Sequence, residues 1–307
     1  YPRDAYTITD KLTMFMLETE EDMPGFFAGQ LERLGVDFID YYWLHGLDPN
    51  AYPKAQELHA FDFVRRLKEE GKVKHIGFSF HGDAKMLEEI LTRYPYLEYV
   101  QIQLNYLDWE DPKVQSRLCY ETAARHGKPV IVMEPVKGGC LASIPKEAEK
   151  LLREHQPDQS TASWAVRFAA SPENIMVVLS GMSDEAQMAD NISYMKDFRP
   201  VSREEITVLE QVRKIIQESI AIPCTGCRYC TEGCPQHIAI PDYFAFCNDL
   251  HRFGPSQMRN VRRRFRQLAE RNGKPSDCVK CGKCEERCPQ HLTIRSYLEK
   301  AGEILEQ

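Results

Sequence analysis

The sequence predicts an α/β protein: a (β/α)8 TIM barrel of which six strands are present, joined to a small α-rich domain. Two observations carry this reading. Over residues 1–200, short apolar runs alternate with amphipathic helical stretches, the pattern of βα units and a parallel sheet. Past residue 220 that pattern stops, and Cys, Gly and Pro punctuate the chain every few residues.

Six strands are expected in order, at Tyr6–Thr9, Asp40–Leu44, His75–Ser79, Tyr99–Leu104, Pro129–Met133 and Met176–Leu179. Helices are expected at Pro24–Leu34, Ala60–Glu70, Ala84–Tyr94, Pro112–His126 and Asp184–Tyr194, with a further one at Ser160–Ala170 that Ser160 caps. Strands this short and apolar fit a barrel better than an open doubly wound sheet, although periodicity alone leaves the sheet open. A closed barrel has eight strands. The chain starts at Tyr1 in a polar turn, so the two remaining strands are expected upstream. Residues 1–200 form the barrel, the mixed-polarity helix Arg203–Ser219 within 201–220 is a connector, and 221–307 is a second domain.

Composition excludes several classes. Hydrophobic residues make up 43% and charged residues 28% of the 307, which fits a folded globular chain and not a disordered one. No stretch approaches the ~18 consecutive apolar residues of a membrane helix, and no signal peptide opens the chain. The net charge of −7 is unevenly split. Residues 221–307 hold 14 Lys/Arg and 10 Asp/Glu, a net of +4, which leaves −11 on residues 1–220.

Eight of the 11 cysteines fall into two identical runs. Cys224-x2-Cys227-x2-Cys230-x3-Cys234-Pro235 is repeated as Cys278-x2-Cys281-x2-Cys284-x3-Cys288-Pro289. A tight loop of this spacing wraps three thiolates around three corners of a [4Fe–4S] cubane. The x3 step then sends the fourth sulfur to the other cluster, as in bacterial-ferredoxin-like two-cluster domains. One cluster is therefore expected on Cys224, Cys227, Cys230 and Cys288, the other on Cys278, Cys281, Cys284 and Cys234. Zinc competes for four-cysteine sites, but zinc ribbons use two separated pairs and not three cysteines at successive x2 steps. If each cluster with its thiolates carries about −2, the +4 of this domain is nearly cancelled, and no nucleic acid is needed to explain it. Exposed thiolate clusters imply a reducing compartment, so the chain is expected to be cytoplasmic. Matched tails follow the runs, Gln236-His237-Ile238 and Gln290-His291-Leu292, and their histidines read as structural because cysteines fill all eight positions. The basic stretch Arg259–Arg266 reads first as a solvated helix face that balances cluster charge, and second as a dock for an acidic electron carrier. Cys119, Cys140 and Cys247 are left over, with buried apolar roles as the default.

The barrel residues carry a family resemblance. Tyr6-Thr-Ile-Thr-Asp-Lys11, Leu34-Gly-Val-Asp37 through Leu44-His45-Gly46, Gly71-Lys-Val-Lys-His-Ile-Gly77-Phe-Ser79, Val100-Gln101-Ile-Gln-Leu-Asn105 and Leu179-Ser-Gly181-Met-Ser183 with Gln187, Asp190 and Asn191 occur in the order found in aldo/keto reductases. With the clusters attached, the chain resembles the branch of that family that ends in a 4Fe–4S dicluster domain. The resemblance implies Lys11 and His45 as catalytic residues at strand ends, where barrel side chains converge on substrate. It implies an NAD(P)H site on Ser79, Gln101 and Met133 for the nicotinamide, on Pro135, Gly138 and Gly139 for the pyrophosphate, and on Gly181, Ser183, Gln187 and Asn191 for the adenosine.

Departures qualify the match. Ser79 is followed by Phe80 and His81 where the family usually has Ser-Asn; His81 is either an extra acid/base facing His45 or a polar loop residue. Met133 stands where an aromatic ring usually stacks, and Gly181, Met182 and Gln187 stand where many members carry cations, which leaves NADP against NAD open. The general-acid Tyr and its Asp belong to a strand-and-loop region that these 307 residues lack, so the fragment is not expected to reduce carbonyls by itself.

Two functions compete. One is an oxidoreductase that couples NAD(P)H-linked carbonyl/alcohol chemistry on a small-molecule substrate to electron transfer through two [4Fe–4S] clusters, with a ferredoxin or flavodoxin-type carrier as partner. The other is an electron-transfer or redox-sensing module whose barrel binds ligand without reducing it. Nicotinamide moves two electrons at once and each cluster takes one. A flavin would bridge them, yet no flavin motif is visible.

Overall fold

In the computed structural model, which describes residues 1–253 and 258–306, six strands form one sheet. They are β1 (Thr9–Thr13), β2 (Ile39–Leu47), β3 (Val73–Phe80), β4 (Tyr99–Gln103), β5 (Val130–Met133) and β6 (Ile175–Val178). They pair in sequential order, every pair parallel. A doubly wound sheet reverses its order at a switch point. Strict sequential order with helices between the strands is how a (β/α)8 barrel is laid down. The helices are α1 (Asp22–Leu34) after β1, α2 (Ala51–Glu57) and α3 (Ala60–Glu69) after β2, α4 (Ala84–Arg93) after β3, and α5 (Ser116–Arg125) after β4. After β5 come α6 (Lys146–His155) and α7 (Thr161–Ala170), and after β6 comes α8 (Glu185–Met195).

The first strand lies further along the chain than Tyr6–Thr9. Asp40 is the reason. Its Oδ2 accepts from the Ile8 N–H at 2.9 Å and from Arg3 at 2.6 Å, while the Ile8 carbonyl accepts from the N–H groups of Asp40 and Tyr41. Residues up to Ile8 are held as a lead-in, and the ladder runs from Thr9 opposite Tyr41 to Thr13 opposite His45. Lys11 is thus inside the strand, and β2 extends past Leu44 to include His45.

Strand side chains alternate between faces. One face is aliphatic and aromatic: Leu12, Tyr42, Leu44, Ile76, Phe78, Val100, Ile102, Val130 and Val132 are buried in the core they share with helix residues such as Phe27, Phe61, Leu87 and Ile90. The other, barrel-lining face holds a separate cluster of Trp43, Tyr99 and Ile131 with Tyr41 packed against it. Gly77 makes room for it. A Cβ there would lie 2.4 Å from the Tyr99 carbonyl oxygen and 2.6 Å from its ring.

The chain forms two compact units, residues 1–135 with 168–183, and residues 136–167 with 184–307. The second gathers α6, most of α7, α8, α9 (Arg203–Ser219), α10 (Tyr229–Glu232), α11 (Ile240–Phe253), α12 (Met258–Ala269), α13 (Lys283–Glu286) and α14 (Ile294–Leu305). Helix α9 does more than connect. It begins with a Ser202/Glu205 capping box, buries Leu209, Val212 and Ile216, and packs on α6. Glu205 also meets Arg167 at 2.8 Å in a buried ion pair.

The two cysteine runs repeat in three dimensions. Helix α10 lies within the first run as α13 lies within the second, and α11 starts at Ile240 as α14 starts at Ile294, always at the Cys224-to-Cys278 offset. Left-handed backbone recurs at the same offset, at Gly226 and Lys280, Arg228 and Gly282, and His237 and His291. The histidines are thus turn residues, consistent with structural roles. The paired helices α10 with α13 and α11 with α14 touch and enclose Ile238, Phe244, Leu292 and Leu298.

Candidate functional site

Register brings five of the predicted barrel residues onto one face. Lys11 is opposite Trp43, Thr13 opposite His45, Ser79 opposite Gln101, and Gln103 opposite Met133. Paired residues on parallel strands point the same way, so Lys11, His45, Ser79, Gln101 and Met133 line the barrel side of the sheet toward its C-terminal edge. Lys11 Nζ lies 5.4 Å from the Trp43 ring centroid. His45 Nδ1 is 3.4 Å from Thr13 Oγ1. Ser79 Oγ accepts from the Gly46 N–H at 2.6 Å, tying the end of β2 to β3. Beneath Lys11, Gln30 Nε2 donates to the Lys11 carbonyl at 2.9 Å, and Tyr42 Oη donates to Gln30 Oε1 at 2.7 Å.

The electrostatics suit chemistry at this face. Burial lowers the Lys11 ammonium against the opposing pull of Asp10. Burial, and then the Lys11 charge, pushes His45 down to about 4, so its imidazole is neutral near pH 7. Gln101 is 2% exposed and its Oε1 has no hydrogen-bond partner among the described residues. A buried carbonyl left unpaired is costly, and a ligand amide N–H would satisfy it. His81 extends the β2–β3 pairing, its N–H donating to the Leu47 carbonyl at 2.8 Å.

The other residues expected from the sequence to hold nucleotide fall in different units and are described unit by unit. Gly181 and Ser183 are exposed in the first. In the second, Gln187 donates its N–H to the Asp184 cap of α8 at 2.8 Å, Asn191 accepts from Tyr194 Oη, and Asp190 accepts from Ser160 at 2.6 Å. Pro135 closes the first unit and is buried. Gly138 and Gly139 have left-handed backbones in a turn of the second unit, where a Cβ on Gly138 would lie 2.3 Å from the Thr225 carbonyl. Gly138 is therefore seated on the first cysteine run, a neighbour the sequence did not suggest.

In the second unit, two small cavities are ringed by cysteines. One is bounded by Cys224, Cys227, Cys230 and Cys288, the other by Cys234, Cys278, Cys281 and Cys284. Each cavity takes three cysteines from one run and the fourth from the other. Among the described residues, no three His, Cys, Asp or Glu groups gather around a single ion position. Four sulfurs spread around a hollow suit a polynuclear cluster better than one zinc. Burial and the neighbouring thiols push Cys224 up to about 11 and Cys230 to about 12. Thiolates so placed need a cationic core to offset their charge. Cys119 and Cys247 are buried, in keeping with apolar roles, whereas Cys140 is only half-buried and close enough to Cys224 to act on its thiol.

Sequence reasoning missed Lys137. It is 5% exposed and donates to Gln290 Oε1 at 2.8 Å. The sequence reading looked to the backbone of the Gly138–Gly139 pair beside it, and nothing local to Lys137 points to Gln290.

Residues 2–214 match the family model of the aldo/keto reductase family, and residues 223–293 match a 4Fe-4S dicluster domain. Aldo-keto reductase str7 of Strobilurus tenacellus is 28% identical over 228 residues, which is 62% of this chain and 62% of that protein. The NADH-specific methylglyoxal reductase of Escherichia coli K12 is 29% identical over 156 residues, 50% of this chain and 42% of that one. The chain thus spans between about two fifths and three fifths of the curated relatives it matches. Among solved structures, an aldo-keto reductase from Bacillus halodurans in its holo form superposes with a TM-score of 0.54 at 22% identity, covering 69% of this chain and 73% of that one. A putative 2,5-diketo-D-gluconic acid reductase B gives 0.55 at 21% identity, covering 69% of each. At such identities the likeness carries the fold. No helix among the described residues is long and apolar enough to cross a membrane.

Proposed function

Because the chain belongs to the aldo/keto reductase family and carries a 4Fe-4S dicluster domain, we propose that it is an oxidoreductase in which NAD(P)H-linked carbonyl/alcohol chemistry at the barrel is coupled to electron transfer through two [4Fe–4S] clusters. The observation that carries the barrel half is the convergence of Lys11, His45, Ser79, Gln101 and Met133 on one face, with the Gln101 carbonyl buried and unpaired. Bound nicotinamide supplies a two-electron hydride, and the clusters, when bound, supply one-electron steps. Gln101 Oε1, with Ser79 opposite it on β3, would accept from the N–H of a nicotinamide carboxamide. Neutral His45 would orient the substrate carbonyl as an N–H donor and not as an imidazolium acid, since its value of about 4 leaves it uncharged near pH 7. Lys11 places a positive charge where negative charge develops on the carbonyl oxygen.

The phenol and carboxylate that the family resemblance sets beside Lys11 have no match in this sequence. These 307 residues should therefore bind the nicotinamide and the substrate without turning them over at full rate. The crossed cavities support cluster ligation by Cys224, Cys227, Cys230 and Cys288, and by Cys278, Cys281, Cys284 and Cys234. The partner is a small soluble electron carrier.

Anaerobic reconstitution to saturation tests the cluster half. About eight irons and eight sulfides per chain are expected, and zinc alone or four irons would overturn it. Cys234→Ala should damage the cluster held by the second run, and Cys224→Ala the other. If both substitutions hit the same spectral species, the crossed assignment is wrong. Titration with NADH and NADPH tests the barrel half, where Gln101→Leu should weaken binding at least several-fold. Binding of neither nucleotide would favour the module whose barrel serves another ligand.

A further inference from the structure

The two cysteine runs share spacing, helices and left-handed positions, but the residues beyond them sit differently. After the first run, Pro235, Gln236 and His237 are exposed. After the second, the matched Gln290 is 5% exposed and its Oε1 accepts from the equally buried Lys137 Nζ at 2.8 Å. Lys137 reaches it from a turn between Val136 and Leu141 whose left-handed residues Lys137, Gly138 and Gly139 fold it tightly. The turn is seated on the first run, because only a glycine at 138 admits the Thr225 carbonyl. Thr225 and Gln290 both line the cavity of Cys224, Cys227, Cys230 and Cys288. No residue of the turn lines the other cavity, and the arginine that lines each cavity is held by a carboxylate, Arg228 by Asp242 at 3.0 Å and Arg295 by Glu285 at 2.7 Å, so the arginines do not distinguish the two.

We propose that Lys137 is a charge-positioning residue that, bound to Gln290, holds a buried ammonium behind the Gln290 wall of the Cys224/Cys227/Cys230/Cys288 cavity and raises the reduction potential of the cluster there relative to its twin. This rests on the reading that both cavities hold clusters. Reduction adds one electron to a cluster, and a nearby positive charge stabilises the added negative charge, more so out of water. The repeat would otherwise make the clusters near equivalents. With Lys137 acting on one alone, electrons entering from a carrier settle on that cluster first.

The test is a redox titration of the anaerobically purified full chain, with dithionite as the electron source and each cluster followed by its paramagnetic resonance signal. The signal lost in Cys224→Ala identifies the cluster in question. Lys137→Met should lower that cluster's reduced-to-oxidised ratio at fixed potential about tenfold, ~59 mV for a one-electron couple. The other cluster should not move, and Lys137→Arg should restore the shift. If Lys137→Met loses iron, Lys137→Gln, which keeps a hydrogen-bonding group for Gln290 without the charge, is titrated instead and should shift equally. Eight irons with neither signal shifted, or both shifted alike, would overturn the inference. A chain that binds no clusters would instead overturn the cluster reading beneath it.

Discussion

The barrel unit and the cysteine-rich unit assemble their chemistry by opposite routes. In the barrel, Lys11, His45, Ser79, Gln101 and Met133 come from five strands, and only parallel register puts them on one face. In the second unit, the eight cysteines are packed into two short runs, and tertiary structure adds the exchange of the fourth cysteine between the cavities. A site made by register depends on the packing beneath every strand, whereas a site made by a loop depends on a few residues nearby. The barrel site should therefore fail through distant core changes that leave the cysteine cavities intact.

The largest expected effect sharpens this contrast at the chemistry. Where the family's phenol and carboxylate are also present, Lys11→Met and His45→Ala should each lower carbonyl reduction by roughly 10²–10³-fold, the usual cost of losing a group that stabilises developing negative charge. Nicotinamide affinity and iron content should stay near wild type, since both residues act on the transition state. Activity within a few-fold of wild type in either variant would remove the pair from the mechanism.

A core change tests the dependence on register. Gly77→Ala puts a methyl carbon 2.4 Å from the Tyr99 carbonyl, a backbone atom that cannot swing aside. Overpacking of this kind costs about 1–3 kcal/mol or more, and β3 should separate from β4 where Ser79 meets Gln101. Urea unfolding should show the barrel destabilised by about 3 kcal/mol, with nucleotide binding weakened and iron unchanged. Loss of iron in step with barrel stability would show that the two sites are not independent.

Much of this was legible in the sequence, for reasons that differ between the units. Cysteine spacing encodes a loop directly, so the eight cysteines could be grouped three and one from the sequence, and the two cavities are lined in that grouping. Strand alternation encoded the sheet, but its ends depended on contacts far away. Tyr6–Thr9 is apolar enough for a strand, yet Asp40 pins Ile8 and Arg3 and delays the ladder to Thr9. Helix α2 escaped notice because Pro53 reads as a breaker, although a proline in a first turn costs no hydrogen bond. Helix α5 starts at Ser116 and not at Pro112, since Asp111 accepts from Lys113 and Val114 N–H groups and holds them in a turn. The turn at Lys137 was invisible as a partner of the cysteines because its contacts, Thr225 and Gln290, lie far along the chain.

The smallest expected effect separates the units by acid. Asp40 is 4% exposed at the start of β2. Burial alone would raise its carboxyl, but hydrogen bonds from Lys74, the Ile8 N–H and Arg3 outweigh that and hold it at about 2. The folded value lies below the unfolded one, so the unfolded chain takes up the proton more readily. The contribution is complete above about pH 4, declines as the pH falls from there toward 2, and is gone below. A depression of nearly two units corresponds to at most about 2.5 kcal/mol, and the half-exposed Lys74 reduces it by solvent screening. Asp40→Asn should therefore cost about 1–2 kcal/mol at pH 7, seen as faster hydrogen exchange of the β1 and β2 amides, with residues 224–234 unaffected. That difference from wild type should shrink below about pH 4 and vanish near pH 2. Equal protection at pH 7, or an undiminished difference at pH 2, would show that the pairing of β1 with β2 does not rest on the Asp40 charge. Faster exchange across the cysteine runs at pH 7 would show instead that the two units share their stability.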